Sequence, residues 1–172
     1  MMLYIVEGMD LTGKSTFCQE LKRYTNASIY KFNRRPKDDS EVEIQKLHTH
    51  YLTVIELLTQ MNSNIHILDR FHLSQQVYSI LRGTDEMNLL FYDYLEAKIK
   101  SIPHLLIHCT SPMNVILQRL DQRGDNYINE HQLGLLSMRY EKAFNKSTLN
   151  KIQINTTNLK ESCREVLDYA EQ

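Results

Sequence analysis

The stretch that most constrains the fold lies near the start of the chain, where YIVEGMDLTGKSTF covers residues 4–17. An apolar segment runs into a turn bounded by Gly8 and Gly13, and a segment with helical periodicity follows. Gly8-x-x-x-x-Gly13-Lys14-Ser15 matches the Walker A pattern at every required position. Glycines let backbone N–H groups turn towards a phosphate, and the following helix adds the partial positive charge of its N-terminus. This stretch therefore predicts a strand, a phosphate-binding loop and a helix in that order.

The side chains of this loop suit a nucleoside triphosphate and a metal ion. In this pattern Lys14 is expected to reach the β- and γ-phosphates, and Ser15 is expected to hold Mg²⁺. The predicted ATP-binding residues are consecutive: Gly8, Met9, Asp10, Leu11, Thr12, Gly13, Lys14, Ser15 and Thr16. We therefore predict ATP and Mg²⁺ as the cofactors.

The rest of the chain alternates short apolar runs with segments of helical periodicity, which is typical of βαβ units around a parallel sheet. Strands are predicted over residues 3–6, 27–32, 64–69, 104–110 and 151–157. Ser40 and Glu43 form a capping box at the start of the helix that precedes the third strand. The expected architecture is an α/β, three-layer P-loop kinase fold with a five-stranded parallel sheet flanked by helices, in one domain over residues 1–172.

Composition narrows the class of protein. A formal net charge of -1 gives no chain-wide basic field for binding nucleic acid. Cys18, Cys109 and Cys163 lie far apart and form no CxxC pair, so we expect reduced thiols rather than a zinc site or a disulfide framework. No leader-like segment precedes the first strand, and no apolar run approaches the roughly 20 residues that span a bilayer. We expect a cytoplasmic protein without a membrane partner.

A second motif, ILDRFHLSQQVY, covers residues 67–78. Asp69 and Arg70 end a buried strand at its carboxyl edge, where the ligands of open α/β sheets bind. An acidic side chain there can organise Mg²⁺ through water, and an arginine there can clamp a phosphate bidentately. We therefore assign Asp69 to the metal site, together with Ser15, and Arg70 to the catalytic residues as a phosphate-binding group.

The segments EGMDLTGKST and DRFHLSQQVYS together resemble the thymidylate kinase group of nucleoside-monophosphate kinases, and the short chain is similar to phage-encoded members. The resemblance implies that Arg70 binds the acceptor phosphate and that Asp10 meets the sugar 3′-hydroxyl. It also implies that Ser74 and Gln75 face the edge of the base. Tyr78 would crowd the 2′ position and so favour deoxyribose.

The segment KFNRRPKDDS, residues 31–40, bears on the acceptor. A nucleoside hydroxyl normally needs a carboxylate to accept its proton, whereas a monophosphate is already ionised and needs cations around it. This segment is rich in Lys and Arg and resembles the acceptor loop of the family, with Phe32 and either Arg34 or Arg35 in the matching places. A monophosphate acceptor is therefore favoured. A deoxynucleoside kinase and a kinase of modified bases in DNA stay open, since the same cations could hold a phosphodiester backbone.

A third motif, LQRLDQRGDNYINE, covers residues 117–130. Arg119 and Arg123 are four positions apart and share one helical face, and Gly124 supplies a hinge. An arginine that a closing lid brings over the transferring phosphoryl group contributes orders of magnitude in rate. By resemblance to family members that have no arginine in the P-loop, a lid at roughly 119–131 supplies Arg119 and Arg123 as catalytic residues.

These motifs predict a phosphotransferase that uses ATP and Mg²⁺ to phosphorylate a deoxynucleoside monophosphate, either dTMP or a 5-modified pyrimidine relative. The base stays open because the slot of the family's thymine-pairing arginine falls near His48. The alternative from another class is a nucleotide-binding switch, but DQRG at 121–124 ends a helix and NKIQ at 150–153 lacks the aspartate of a guanine-binding motif. Expected partners are small nucleotides, with nucleic acid as a minor alternative, and the resemblance leaves a homodimer open.

Overall fold

The computed structural model describes residues 1–32, 40–61, 64–79, 89–123 and 130–171. These ranges contain five strands: β1 Met2–Glu7, β2 Ser28–Lys31, β3 Ile65–Asp69, β4 His104–Thr110 and β5 Lys151–Asn155. They also contain seven helices: α1 Lys14–Thr25, α2 Glu41–Gln60, α3 His72–Ser79, α4 Leu89–Ile99, α5 Met113–Arg123, α6 Glu130–Lys146 and α7 Leu159–Ala170. Each predicted strand is present, and three of them, β2, β3 and β5, are shorter than predicted.

The strands form one parallel sheet in the order β2-β3-β1-β4-β5. This confirms the predicted α/β fold with a five-stranded parallel sheet flanked by helices. The chain places β3 and β2 on one side of β1 and then crosses to β4 and β5 on the other, so the strand order reverses beside β1. Open α/β sheets bind their ligands outside the carboxyl ends of the strands at such a switch point.

The register of the sheet aligns the carboxyl ends of the inner strands. Val6 of β1 is opposite Asp69 of β3, which is in turn opposite Lys31 of β2. On the other side of β1, Glu7 is opposite His108 of β4. The segments that follow β1 and β3 therefore begin next to each other.

Two apolar cores cover the two faces of the sheet, because successive residues of a strand point to opposite faces. Leu3 and Ile5 pack in the core formed with α2, α4 and α6. Tyr4 and Val6 pack in the core formed with α1 and α7. Burial on both faces explains why the inner strands are continuously apolar in the sequence.

The start of α2 confirms one local expectation. The Ser40 hydroxyl accepts a hydrogen bond from the backbone N–H of Glu43 at 3.4 Å and makes Ser40 the N-cap of α2. All three cysteines are buried free thiols. Among the helices described here, none is long and apolar enough to cross a membrane.

Candidate active site

The loop between β1 and α1 has a backbone that requires its glycines. Gly8 has a φ of 142° and Gly13 has a φ of 87°, conformations that residues with a Cβ rarely adopt. A Cβ on Gly8 would also collide with the backbone carbonyl oxygen of Cys109 in β4. The loop therefore passes directly over the end of β4 before α1 begins at Lys14.

Lys14 is buried beneath this loop, with only 5% of its surface exposed. Its Nζ donates a hydrogen bond to the backbone carbonyl of Met9, and the Thr12 hydroxyl donates to the same oxygen at 2.8 Å. Burial, and after it the nearby charge of Arg70, lower the pKa of Lys14 to about 8. A phosphate anion in the loop would favour the charged amine, and the part of Lys14 in phosphate binding stays a prediction.

The two predicted metal ligands lie side by side. The hydroxyl of Ser15 donates a hydrogen bond of 2.8 Å to Oδ2 of Asp69, whose residue surface is 4% exposed. Mg²⁺ prefers oxygen ligands, and in phosphoryl-transfer sites it takes several of them from water and substrate phosphates. Among the described residues, no group of three or more His, Cys, Asp or Glu could hold a metal by itself. This pair therefore fits a Mg²⁺ ion that arrives with a nucleotide.

Arg70 follows β3 in a left-handed backbone conformation, with a φ of 71°. Its backbone N–H donates to the carbonyl of Val6 at 2.9 Å, which attaches this turn to β1. The side-chain nitrogen Nη1 donates to the hydroxyls of Tyr140, at 3.1 Å, and Ser74, at 3.2 Å. The other terminal nitrogen, Nη2, forms an ion pair with Asp10 of the phosphate loop. Two motifs that are far apart in the sequence thus meet at one guanidinium group.

Asp10 is shared between Arg70 and α3. The Tyr78 hydroxyl donates a hydrogen bond of 2.6 Å to the second oxygen of Asp10, and the Arg70 guanidinium lies over the Tyr78 ring, 5.5 Å from its centroid. Burial opposes the charge of Arg70, but the neighbouring Tyr140, Asp10 and Tyr78 oxygens outweigh it and raise the pKa of Arg70. Arg70 is therefore a permanent cation, in direct contact with three other predicted acceptor-binding residues, Asp10, Ser74 and Tyr78.

Sequence reasoning missed two residues of this group. Glu7, at the end of β1, is fully buried and accepts hydrogen bonds from the backbone N–H groups of Phe71, at 2.9 Å, and Ser74, at 3.2 Å, and from the Ser74 hydroxyl. The signal for Glu7 is a charged residue at the end of an apolar strand. Tyr140 is fully buried on α6, with its hydroxyl 3.0 Å from Oγ of Ser74. In the sequence Tyr140 is one member of an apolar helical stripe, which gives no sign of a polar contact.

The other predicted acceptor-binding residues lie on α3 and in an aromatic cluster. Ser74 uses its hydroxyl inside the group around Arg70, and its contact with a base stays a prediction. Gln75 is buried on α3, with 8% of its surface exposed. Phe32 stacks on Tyr51 with ring centroids 4.4 Å apart and meets Phe71 edge to face at 5.1 Å.

Arg119 reaches the phosphate loop from α5. Its Nη1 donates a hydrogen bond of 2.7 Å to the backbone carbonyl of Leu11 and one of 3.3 Å to the Ser111 hydroxyl. A Cβ on Gly13 would lie 3.5 Å from the same nitrogen. The structure thus brings one of the two predicted lid arginines to the loop.

Three predicted site residues are not covered. Arg34 and Arg35 lie outside the described residues, as do residues 124–129 of the predicted lid at 119–131. Helix α5 ends at Arg123, whose side chain is also outside the description. The roles of these three arginines stay predictions.

A cleft of about 210 Å³ opens at the carboxyl edge of the sheet. It is lined by Asp10, Leu11, Gly13, Lys14, Ser15, Thr16, Lys31, Asp69 and Arg70. Cations therefore come from α1, from the end of β2 and from the turn after β3, next to the two carboxylates. A concave site that combines cations with oxygen ligands for a metal can bring two anions together.

Comparisons with known proteins give a family and several structures of the same fold. A family model described as "Chromatin associated protein KTI12" matches residues 1–151. A search of curated proteins finds no match. The structure of the YorR protein from Bacillus subtilis, in complex with phosphorylated GDP, is similar with a TM-score of 0.81 and 24% identity, over 98% of this chain and 95% of that one.

Two further solved structures also share the fold. The deoxyadenosine kinase from M. mycoides, with dCMP and dCDP, is 17% identical, with a TM-score of 0.62 and 99% of each chain covered. The thymidylate kinase from Candida albicans is 15% identical, with a TM-score of 0.52 over 98% of this chain and 90% of that one. These likenesses establish a fold shared with nucleoside and nucleotide kinases, without selecting the thymidylate kinases among them. The match over residues 1–151, which includes the phosphate loop and the Asp69–Arg70 turn, shows that the chain belongs to the family described as chromatin associated protein KTI12.

Proposed function

We propose that this protein transfers the γ-phosphoryl group of ATP, with Mg²⁺, to a deoxynucleoside monophosphate, either dTMP or a 5-modified pyrimidine relative. The observation that carries the proposal is the ion pair of Arg70 with Asp10 in the cleft that also contains Lys14. A switch protein needs cations for one nucleotide only, whereas a kinase with a phosphorylated acceptor needs a second anion site beside the phosphate loop. Arg70 supplies such a site.

On the donor side, some of the described residues would bind the phosphates of ATP and Mg²⁺, and others would stabilise the charge of the transferring phosphoryl group. Lys14 would exchange the Met9 carbonyl for phosphate oxygens, and Ser15 with Asp69 would hold Mg²⁺, which neutralises charge on the phosphates. Arg119 is already at the loop and would stabilise the charge that develops on the transferring group. Arg123 is proposed to assist from the end of α5.

On the acceptor side, Arg70 and Lys31 would bind the acceptor phosphate from two neighbouring strand ends. Because that phosphate is already ionised, these cations reduce the repulsion between two anions and no general base is needed. Asp10 would meet the 3′-hydroxyl, and Tyr78 would crowd the 2′ position. Arg34 or Arg35 is proposed to complete the phosphate site.

The solved neighbours support nucleotide chemistry and leave the base open. One contains phosphorylated GDP, another contains dCMP and dCDP, and a third is a thymidylate kinase. In this chain His48, near the slot of the thymine-pairing arginine, stacks on Phe91 with ring centroids 3.7 Å apart. A histidine is shorter than an arginine, which supports a base with an enlarged 5-substituent.

A deoxynucleoside kinase is the second candidate, and Asp10 is the observation that favours it. Its carboxylate lies in the cleft and could accept the proton of an attacking hydroxyl if Arg70 moved away. A kinase of modified bases in DNA would use the same carboxylate. In each of these proposals residues 1–172 act as one domain.

The test is ADP release from ATP and Mg²⁺ with a panel of acceptors: dTMP, dUMP, 5-hydroxymethyl-dUMP, dCMP, thymidine and duplex DNA. A Lys14→Met variant supplies the background rate. Turnover confined to the pyrimidine monophosphates would support the proposal and identify the base. Turnover confined to thymidine or to DNA would replace it with one of the alternatives. Tight ATP binding with no acceptor-dependent turnover would point to a switch.

A further inference from the structure

Tyr140 connects α6 to the acceptor side of the cleft. Its hydroxyl lies 3.1 Å from Nη1 of Arg70 and 3.0 Å from Oγ of Ser74. Its ring meets Tyr78 edge to face at 6.1 Å and stacks over His108 with centroids 6.0 Å apart. The side chain is fully buried, so packing against α3 and β4 fixes where the hydroxyl lies.

The directions of the hydrogen bonds in this group follow from Glu7. The Ser74 hydroxyl donates its proton to Glu7. The Ser74 oxygen is then an acceptor, and Tyr140 donates to it. With its own proton used in this way, the Tyr140 oxygen accepts from Arg70. Burial raises the pKa of Tyr140 well above its usual range, which keeps that proton in place.

Both terminal nitrogens of the Arg70 guanidinium therefore have identified partners. Nη1 points inward to Tyr140, Ser74 and, at 3.4 Å, the carbonyl of Gly8. Nη2 points to Asp10, a residue that lines the cleft. An arginine binds a phosphate well only when its planar fork is presented in the right orientation.

We propose that Tyr140 is a positioning residue for Arg70: its hydroxyl holds Nη1 inward, so that the edge with Nη2, which pairs with Asp10, faces the cleft from which the acceptor phosphate would approach. Tyr140 is buried and touches no substrate itself. The effect on the acceptor rests on the proposed function, whereas the effect on the orientation of Arg70 does not. The inference adds a residue of α6 to an acceptor side that otherwise comes from the ends of β1, β2 and β3 and from α3.

Tyr140→Phe is the sharpest variant, because it removes one hydroxyl and keeps the ring that packs on His108. Tyr4→Phe is the matched control, since Tyr4 is another buried tyrosine but lies in the opposite core, on the face of α1 and α7. The first measurement is side-chain ¹H–¹⁵N NMR of the guanidinium groups, with the Arg70 signals assigned by their loss in Arg70→Lys. We expect separate, slowly exchanging Nη signals of Arg70 in the wild type and in Tyr4→Phe, and averaged, fast-exchanging ones in Tyr140→Phe.

The second measurement is steady-state kinetics with the best acceptor. Loss of one hydrogen bond to a charged group should raise the KM for a monophosphate acceptor about tenfold in Tyr140→Phe. The KM for ATP should match that of Tyr4→Phe. Unchanged Arg70 signals in Tyr140→Phe would overturn the inference, and so would altered signals with an unchanged acceptor KM. If the wild type turns over no monophosphate, the proposed function fails, and the NMR result alone decides whether Tyr140 orients Arg70.

Discussion

The hydroxyl of Ser15 and the carboxylate of Asp69 are joined by a hydrogen bond of 2.8 Å across 54 positions of the chain. Ser15 belongs to the first turn of α1, and Asp69 is the last residue of β3. The parallel pairing of Val6 with Asp69 places the end of β3 beside the end of β1, from which the phosphate loop leads to Ser15. The position of the predicted metal site therefore depends on the register of the sheet as well as on the loop.

Asp69→Asn should weaken the use of Mg²⁺ without unfolding the protein. The amide oxygen can still accept the hydrogen bond from Ser15, but the negative charge that attracts the cation is lost. We expect the Mg²⁺ concentration for half-maximal turnover to rise about tenfold, with little change in melting temperature. A titration of Mg²⁺ at fixed ATP measures this, and the exposed Asp168→Asn serves as the control. An unchanged Mg²⁺ dependence would remove Asp69 from the metal site.

Lys14 should make ATP capture depend on pH. Its pKa of about 8 lies below the ordinary 10.5, so the amine loses its charge as the pH rises through about 8. We expect kcat/KM for ATP to fall above that pH, while kcat at saturating ATP falls only at higher pH, since bound phosphates favour the charged amine. A flat kcat/KM profile between pH 7 and 10 would argue against this role.

The lowered pKa of Lys14 also predicts that the free energy of unfolding rises with pH, whereas ATP capture falls. Between pH 8 and 10.5 the unfolded chain binds a proton on Lys14 that the folded protein has lost. Stability increases with pH wherever the unfolded state binds more protons, so this residue adds stability as the pH rises through that window. Urea unfolding of the wild type against Lys14→Met measures the difference, with the exposed Lys22→Met as the control. The free energy of unfolding of the wild type, relative to that of Lys14→Met, should increase from pH 8 to pH 10.

Arg119→Ala should reduce the chemical step. The side chain is held at the Leu11 carbonyl and next to Gly13, where the transferring phosphoryl group would lie. Arginines in this role contribute about 10³-fold or more in kcat, so we expect a loss of that order with a smaller change in the KM for ATP. Single-turnover kinetics would separate the chemical step from binding. Arg23→Ala, whose side chain is 77% exposed on α1, should retain wild-type rates.

Glu96 should stabilise the fold above acid pH. This buried carboxylate on α4 accepts hydrogen bonds from the Ser147 hydroxyl at 2.6 Å and from the Thr148 backbone N–H at 2.8 Å, and lies 3.0 Å from His72. Burial alone would raise the pKa of Glu96, but the contacts with His72, Ser147 and Thr148 lower it to about 2. A lowered carboxyl pKa gives stability that is present above 4.5 and is lost as the pH falls towards 2. Glu96→Gln should therefore cost about 1–3 kcal/mol in urea unfolding at pH 6 and much less at pH 3.

The sequence supports the fold and the donor side of the site better than the acceptor side. Lys14 and Ser15 are fixed by local spacing, and Asp69 follows from the rule that parallel strands end at one edge. Tyr140 could not be found in this way, because its contact with Arg70 spans 70 positions and depends on how α6 packs against α3. Glu7 carried a readable signal as a charge at the end of an apolar strand.

Arg70 receives contacts from residues of the phosphate loop, α3 and α6, while Lys14 and Ser15, which are predicted to bind ATP and Mg²⁺, belong to the single helix α1. Because these contacts come from several elements, the orientation of the Arg70 guanidinium is lost when any one of those elements loosens. The N-terminus of a helix keeps its structure when small changes occur elsewhere in the protein. Mild heat or denaturant should consequently abolish acceptor capture before ATP binding. Under these conditions the protein would still bind ATP but would no longer bind its acceptor.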